Sequence, residues 1–358
     1  SAGREWLARR ADAKRKGSAQ TYGAHVSGVI RRAVAAATDI ERFAGDYGEI
    51  LRSVVELAAE FHDLGKLDPQ NQEVLSGRQT SRALPVQHTD AGTAHLIRTP
   101  IDGWPSAILV HAHHIGLPDI IAETIRGNGG DEAFRDKDKT IRERVNGMLN
   151  ELVAAHQTVF EISHSSPKKG LPENFNEKLN LFLRIGLSCL ADGDHTDTAT
   201  HYGDCFDSEN ALPSLRASER LEKLDRYVQT LGNGDERSKL RSSVYDACRN
   251  AIVSDPDGFI ACDSPVGTGK TTAIMAYLLK LAKEKNLRRI FVILPFTTII
   301  EKSVEVYRMA LTLDGEDPEL FVAELHHRAE YKKVEKRHLT ALWDSTIVVT
   351  HDGSFFET

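Results

Sequence analysis

From Thr21 to about Tyr202 apolar residues recur at three- and four-residue spacings, as in the stretch 50–61, where Leu51, Val54, Val55, Ala58 and Phe61 share one helical face. After Asn233 the period changes. GFIACDS and RRIFVILP are short β-rich runs each followed by a helical stretch, and STIVVT is a third such run near the end, the pattern of parallel βαβ units. Two periods within 358 residues predict two cores rather than one. The expected fold class is multidomain: an all-α domain over residues 1–205, a linker over 206–233, and an incomplete α/β phosphate-loop domain over 234–358. The linker is placed where DSENALPSL leads into the charged helical run RASERLEKLDRYVQTL and then the turn-rich GNGDE. Residues 127–138 and Ser-Pro-Lys-Lys-Gly at 166–170 read as surface loops.

Fifteen histidines would mean little if scattered. Yet His25, the doublet His62-Asp63, His88, the doublet His113-His114 and Asp192 lie in or beside successive expected helices. Helical bundles build metal sites from side chains projecting inward from facing helices, and imidazole with carboxylate suits Mn, Fe, Co, Ni or Zn. In EFHDLGKL, His62 and Asp63 are expected about 100° apart on a helix, so the imidazole binds one ion while the carboxylate bridges to a second. Lys66 emerges on the same side and can hold a substrate phosphate oxygen. His62, Asp63 and Lys66 are therefore the expected catalytic residues, and Gly65 is expected to end the helix. Two cations roughly 3.5–4 Å apart stabilise the attacking and leaving oxygens of an in-line phosphodiester displacement. Taken singly, each histidine reads more simply as a satisfied core or surface residue; the ordered doublets make the set a metal site. His95, His111, His156, His164, His195 and His201 fit less well and read as structural or solvated, while Asp194 and Asp197 compete with Asp192 for its place.

The run FIACDSPVGTGKTTAIMAYLLKLA reads as a strand, a glycine-bearing loop and an amphipathic helix, the context that gives a phosphate loop physical meaning. Backbone N–H groups around Gly267, Thr268 and Gly269 would cradle phosphates at the helix N-terminus. Lys270 would neutralise the β and γ phosphates, and the Thr271 hydroxyl would bind magnesium. Ser264 stands where the strict pattern has glycine.

The segments YGAHVSGVI, FHDLGKLDPQNQ, QHTDAG, HAHHIGLPD and LADGDHTDT together resemble the HD domain of the CRISPR-associated nuclease-helicase of type I interference systems, over roughly residues 20–205. The resemblance implies an HD-type helical domain with a dinuclear centre: His25, His62, Asp63 and Asp192 on one metal, Asp63, His88, His113 and His114 on the other, with Asp63 bridging. VILPFTTIIEKS resembles the next helicase motif of superfamily 2 motors, and LHHRAEY and TIVVTHDGSFFET resemble later parts of the same first RecA-like domain. His326 and His327 belong there, away from the metals. By this resemblance the cofactors are two divalent transition metals (Mn, Fe, Ni or Co), with ATP and Mg in the full-length protein. The substrate is single-stranded DNA, cut during 3′-to-5′ ATP-driven translocation, and the partner is an RNA-guided CRISPR surveillance complex. The sequence stops at Thr358 before any Asp-Glu-x-His/Asp motif, so a piece of a longer enzyme is expected, without ATPase activity of its own.

Composition removes other classes. No apolar run approaches a membrane span, and the polar start SAGREWLARR lacks the apolar core of a signal peptide; no membrane partner and a cytoplasmic location are expected. The opening Ser-Ala-Gly, without methionine, reads as a tag remnant and is left out of the fold reasoning. Cys189, Cys205, Cys248 and Cys262 form no C-x-x-C pair and read as ordinary thiols. A net charge of -7 excludes a uniformly basic DNA-coating protein, although a local groove or bound cations can attract phosphates. Two rivals remain: an HD nucleotide phosphohydrolase with a regulatory nucleotide-binding domain, against which Leu-Pro-Phe-Thr speaks, and a non-enzymatic assembly module, against which the full ligand set speaks.

Overall fold

The computed structural model describes residues 5–11, 17–81, 83–99, 103–128, 130–160, 175–203, 214–232, 234–253, 260–325 and 345–351. The chain divides into two compact units, residues 1–204 and 205–358. Among the described residues no helix is long and apolar enough to cross a membrane. Ser-Pro-Lys-Lys-Gly at 166–170, His164, His326 and His327 lie outside the described residues.

The first unit is built on helices α1 (Tyr22–Ala44), α2 (Gly48–Phe61), α3 (Pro69–Leu75), α4 (His88–Ile97), α5 (Gly103–Ala112), α6 (Ile120–Arg126), α7 (Lys139–Gln157) and α8 (Phe175–His201). The Thr21 hydroxyl caps α1 by accepting from the Ala24 N–H at 3.2 Å, satisfying one of the N-terminal donors that a helix leaves unpaired. Tyr22, Val26, Val29, Ala33 and Ala37 form the buried stripe of α1 and pack with Leu51, Val54, Val55 and Ala58 of α2 and Leu183 and Leu190 of α8. Each large aliphatic side chain so buried contributes roughly 1.5–3 kcal/mol, which fixes α1, α2 and α8 as the frame on which the site is mounted.

The unit is not purely helical. An antiparallel ribbon, β1 (Leu7–Arg9) with β2 (Gln20–Thr21), pairs Leu7 with Thr21 and Arg9 with Gln20. The buried Gln72 amide extends it sideways, accepting from the Leu7 N–H at 3.0 Å and donating to the Leu7 carbonyl at 2.8 Å. The expected surface loop at 127–138 also differs: Ala133, Phe134 and Arg135 are buried. Arg135 is tolerated there because its Nε and Nη2 donate to both oxygens of Asp90, at 2.8 and 2.7 Å, so neither charge is left unpaired.

The second unit contains α9 (Ala217–Thr230), α10 (Glu236–Asn250), α11 (Lys270–Lys285), β3 (Ile290–Ile293), α12 (Thr297–Leu311), α13 (Pro318–Phe321), β4 (Val322–Leu325) and β5 (Ile347–Thr350). The sheet is parallel, in the order β3-β5-β4. Its middle strand reads Ile-Val-Val-Thr and is buried throughout, as a strand covered on both faces requires. Two expectations are corrected. The helical run expected within the linker is α9, but it is no linker: it packs on α11 and α12 with Leu221 and Leu224 buried in the core. Of the strand expected in GFIACDS, residues 260–264 pair with no strand among the described residues, and Ile260 is exposed. β4, by contrast, was not anticipated.

Candidate metal centre

The two doublets act at helix ends rather than on helix faces. α2 stops at Phe61; His62 caps it, Asp63 leaves helical geometry, and Leu64–Leu67 form a single 3-10 turn. The expected helix through Gly65 is therefore absent. His62 Nδ1 turns back to the Ala59 carbonyl at 2.8 Å. The next helix end repeats this: His113 follows the last residue of α5, and its Nδ1 lies 2.7 Å from the Val110 carbonyl. A carbonyl only accepts, so Nδ1 carries the proton in both rings and each Nε2 lone pair faces the site. The same bond satisfies a C-terminal helix carbonyl.

Glycines permit the close approach that follows. A Cβ at Gly65 would lie 2.4 Å from the His88 carbonyl oxygen, and one at Gly92 would lie 2.1 Å from the Phe61 carbonyl oxygen. The turn after α2 and the start of α4 thus touch backbone to backbone. Asn71 fastens them from α3, donating to the carbonyls of Gly65 at 2.8 Å and Val86 at 2.9 Å and accepting from the Val86 N–H at 3.0 Å.

Two clusters result. In one, ligand atoms of His25, His62 and Asp63 lie within 4.8 Å of one another, and in the other so do those of His88, His113 and His114. Asp63 stands between them: its Oδ2 is 3.1 Å from His25 Nε2 and 3.3 Å from His62 Nε2, and its Oδ1 is 3.5 Å from His88 Nε2. Lys66 donates to Asp63 Oδ2 at 2.5 Å. The structure thus brings His25, His62, Asp63, Lys66, His88, His113 and His114 together. Asp192 is not among them. Its Oδ1 accepts from the Thr196 hydroxyl on its own helix at 3.3 Å, while Asp194, buried, lies 3.2 Å from His25 Nε2. Two residues along a helix is a rotation of about 200°, so only one of the two acids can face the centre, and that one is Asp194. Asp197 holds the far side of the ring, its Oδ2 2.8 Å from His25 Nδ1 and 2.8 Å from the Gln20 amide.

Sequence reasoning missed Arg9 and Gln20. The ribbon brings Arg9 Nη2 to 2.6 Å from Asp194 Oδ1 and Gln20 to Asp197, while Gln72 of α3 donates to the Lys66 carbonyl at 2.7 Å.

The electrostatics of the two clusters differ. Burial pulls the His25 imidazole down, but hydrogen bonds to Asp194, Asp197 and Asp63 outweigh it and raise the ring to about 9. Burial opposes ionisation of Asp63, yet Lys66, His62 and His25 hold its carboxyl well below the usual range. In the other cluster burial dominates: His88 is pushed down to about 3, and His113 and His114 are lowered. Those three rings are neutral at pH 7, the form that binds metal.

Two buried atoms, one from each cluster, have no hydrogen-bond partner: Asp63 Oδ1 and His113 Nε2. Burying such groups unpaired costs about 1–3 kcal/mol each. A cation held by imidazole and carboxylate would satisfy both, so the residues present fit the divalent metals expected of them.

In the second unit Gly267 and Gly269 have φ of 85° and 80°, left-handed backbone that glycine adopts without strain. Gly269 caps α11, and Lys270 and Thr271 lie in its first turn. Thr268 is buried, its hydroxyl bonded to Ser264 Oγ at 2.6 Å and the Pro265 carbonyl at 2.8 Å. Lys270 Nζ donates to the Ser264 carbonyl at 2.6 Å, and Arg241 of α10 donates to the Gly267 carbonyl at 2.9 Å. Ser264, the departure from the glycine pattern, thus braces the loop with its side chain.

No protein-family model matches this chain, and no curated protein matches it. Solved structures of T. fusca Cas3 align with it. The crystal structure of T. fusca Cas3-AMPPNP does so with a TM-score of 0.45 and 12% identity, covering 97% of this chain and 43% of that one. The crystal structure of T. fusca Cas3 gives 0.44 and 14%, with the same coverage. The chain thus spans less than half the length of those structures.

Proposed function

We propose that the helical unit is a metal-dependent nuclease acting on single-stranded DNA, and that the second unit belongs to an ATP-driven 3′-to-5′ translocating motor in a longer protein serving an RNA-guided CRISPR surveillance complex. The observation that carries the nuclease reading is the single carboxylate of Asp63 between two histidine clusters, with one oxygen unpaired and the other held by Lys66. His25, His62, Asp63 and Asp194 would hold one divalent transition metal (Mn, Fe, Ni or Co), and Asp63, His88, His113 and His114 the other. When bound, such ions supply charge neutralisation at the phosphate and activation of water.

The residues of the chain supply the rest. Ala59 and Val110 fix the tautomers of His62 and His113 through their carbonyls. Asp197 orients His25. Lys66, beside Asp63, would present its ammonium to a phosphodiester oxygen of the substrate. Gly267, Thr268, Gly269, Lys270 and Thr271 would take ATP and magnesium in the full-length motor. The motif resemblance supports the DNA substrate, the direction of movement and the partner.

The test is cleavage of a labelled single-stranded DNA circle with added manganese, beside Asp63→Ala and an EDTA control. Cutting by the parent alone supports the reading. Equal cutting by Asp63→Ala refutes the site. Turnover of free nucleotides without DNA cleavage replaces the nuclease with a phosphohydrolase.

A further inference from the structure

Cys248 and Cys262 lie outside both sites. Cys248 is in the last turn of α10, and Cys262 stands two residues before Ser264, the residue whose carbonyl receives Lys270 Nζ. Their sulfurs are 3.8 Å apart; Cys262 is exposed and Cys248 half-buried. Arg241 is seven residues before Cys248, two turns back on the same face of α10, and it donates to the Gly267 carbonyl. One helix face therefore meets the phosphate-loop region at two points.

α10 is the fixed partner of the pair. Tyr245 donates to Asp225 of α9 at 2.7 Å, Arg249 donates to the same carboxylate, and Lys280 of α11 donates to the Ala251 carbonyl at 2.8 Å. Residues 260–263 are exposed and pair with no strand among the described residues; Ser264, at the end of the segment, is bonded to Thr268 and Lys270 of the phosphate loop itself. A disulfide needs a sulfur separation of ~2.05 Å, so closing the gap takes a movement of about 1.8 Å, within reach of a side-chain rotation and a small shift of an unpaired segment.

We propose that Cys248 and Cys262 form a reversible disulfide that ties the segment leading into the phosphate loop to α10 and thereby weakens nucleoside-triphosphate binding. The coupling rests on the phosphate-loop reading; the bond itself does not. The oxidant is a peroxide. The exposed Cys262 thiolate takes one oxygen from hydrogen peroxide, giving a sulfenic acid and hydroxide. The Cys248 sulfur then attacks the sulfenic sulfur, the S–O bond breaks, and the oxygen leaves as water with the Cys248 proton. In net terms, two thiols and one peroxide give one disulfide and two waters. Burial and the neighbouring sulfur push the Cys248 thiol up to about 11; exposure makes Cys262 the sulfur that a peroxide reaches first. Nucleotide binding requires Lys270 to leave the Ser264 carbonyl for the phosphates, and a tether two residues upstream restrains that rearrangement.

The experiment treats the chain with hydrogen peroxide, maps cross-linked peptides by non-reducing mass spectrometry, and measures binding of a fluorescent ATP analogue before oxidation, after it and after dithiothreitol. The expected result is one 248–262 cross-link, at least tenfold weaker nucleotide binding in the oxidised form, recovery on reduction, and no response in Cys248→Ser or Cys262→Ser. Absence of the cross-link, or pairing with Cys189 or Cys205 instead, overturns the proposal. Equal affinity in both forms overturns the coupling. Failure of the reduced protein to bind nucleotide at all overturns the phosphate-loop reading and the coupling together, while the cross-link still decides the thiol pair.

Discussion

Metal entering the His25 cluster must displace a proton, and the size of that barrier follows from the geometry. His25 donates one N–H to Asp197 and directs the other between Asp63 and Asp194, and its ring is raised to about 9. At pH 7, two units lower, about one molecule in a hundred has the neutral ring a metal requires, a penalty of about 3 kcal/mol. Apparent affinity for this ion is therefore expected to rise about tenfold per pH unit from 7 to near 9, with about one proton released per ion at pH 7. Isothermal titration of manganese in buffers of different ionisation enthalpy reads that proton directly, and His25→Gln removes the titrating group. The sign can be checked without metal. A histidine whose folded pKa is raised stabilises the fold fully below its unfolded value of about 6.5, and this contribution, about 3 kcal/mol, is lost as pH rises toward 9. His88, pushed down to about 3, acts in the opposite sense only below about 6.5. Burial lowers Lys66, which opposes the trend wherever it titrates, so over the interval pH 6.5–8.5 the midpoint of the parent is read relative to that of His25→Gln. A relative urea midpoint in EDTA that is flat or rising across that interval, or proton release near zero at pH 7, would refute the reasoning.

Arg9→Ala leaves the buried Asp194 carboxylate without its guanidinium. The metal-free protein should lose about 1–3 kcal/mol, and added divalent metal should restore more thermal stability to the variant than to the parent in a fluorimetric melt; equal increments in both would count against Arg9. Gly65→Ala places a methyl group against the His88 backbone, where overpacking costs about 1–3 kcal/mol. At least one of two bound metal equivalents should be lost by native mass spectrometry, and retention of both would show that the contact is not needed. Lys270→Ala should weaken a fluorescent ATP analogue at least tenfold without altering metal content, whereas unchanged binding would remove Lys270 from the phosphate site.

Much of the fold was legible because its helices carry long buried stripes: the 3.6-residue period of α1 and α2 is strong enough to read without contacts. What escaped was short or depended on distant partners. β1 has three residues, too few to show alternation, and it is completed by Gln72 through bonds that span 65 positions of sequence. Arg135 lies in a glycine- and charge-rich stretch that any compositional reading places at the surface, and only its pairing with Asp90 buries it. Residues 217–230 were readable as a helix, but their charge concealed the apolar stripe of Leu221, Leu224 and Val228, which places that helix in the core and not in a linker.

At the centre, residue types and their order were readable, but helix phase decided which acid belongs. In α8 the buried Leu183 and Leu190 define the inward face. Stepping four and then three residues onward from Leu190 reaches Asp194 and Asp197, whereas Asp192 falls about 200° away from Leu190. The signal for Asp194 was thus present in the apolar stripe preceding the acids, and a motif read apart from its helix could not use it. His62 and His113 teach the converse. Each follows the final residue of a helix, so spacing rules for helix faces do not govern Asp63 and His114. The turn that carries Asp63 meets the start of α4, with His88, through the glycine contacts at Gly65 and Gly92, an approach that periodicity does not record.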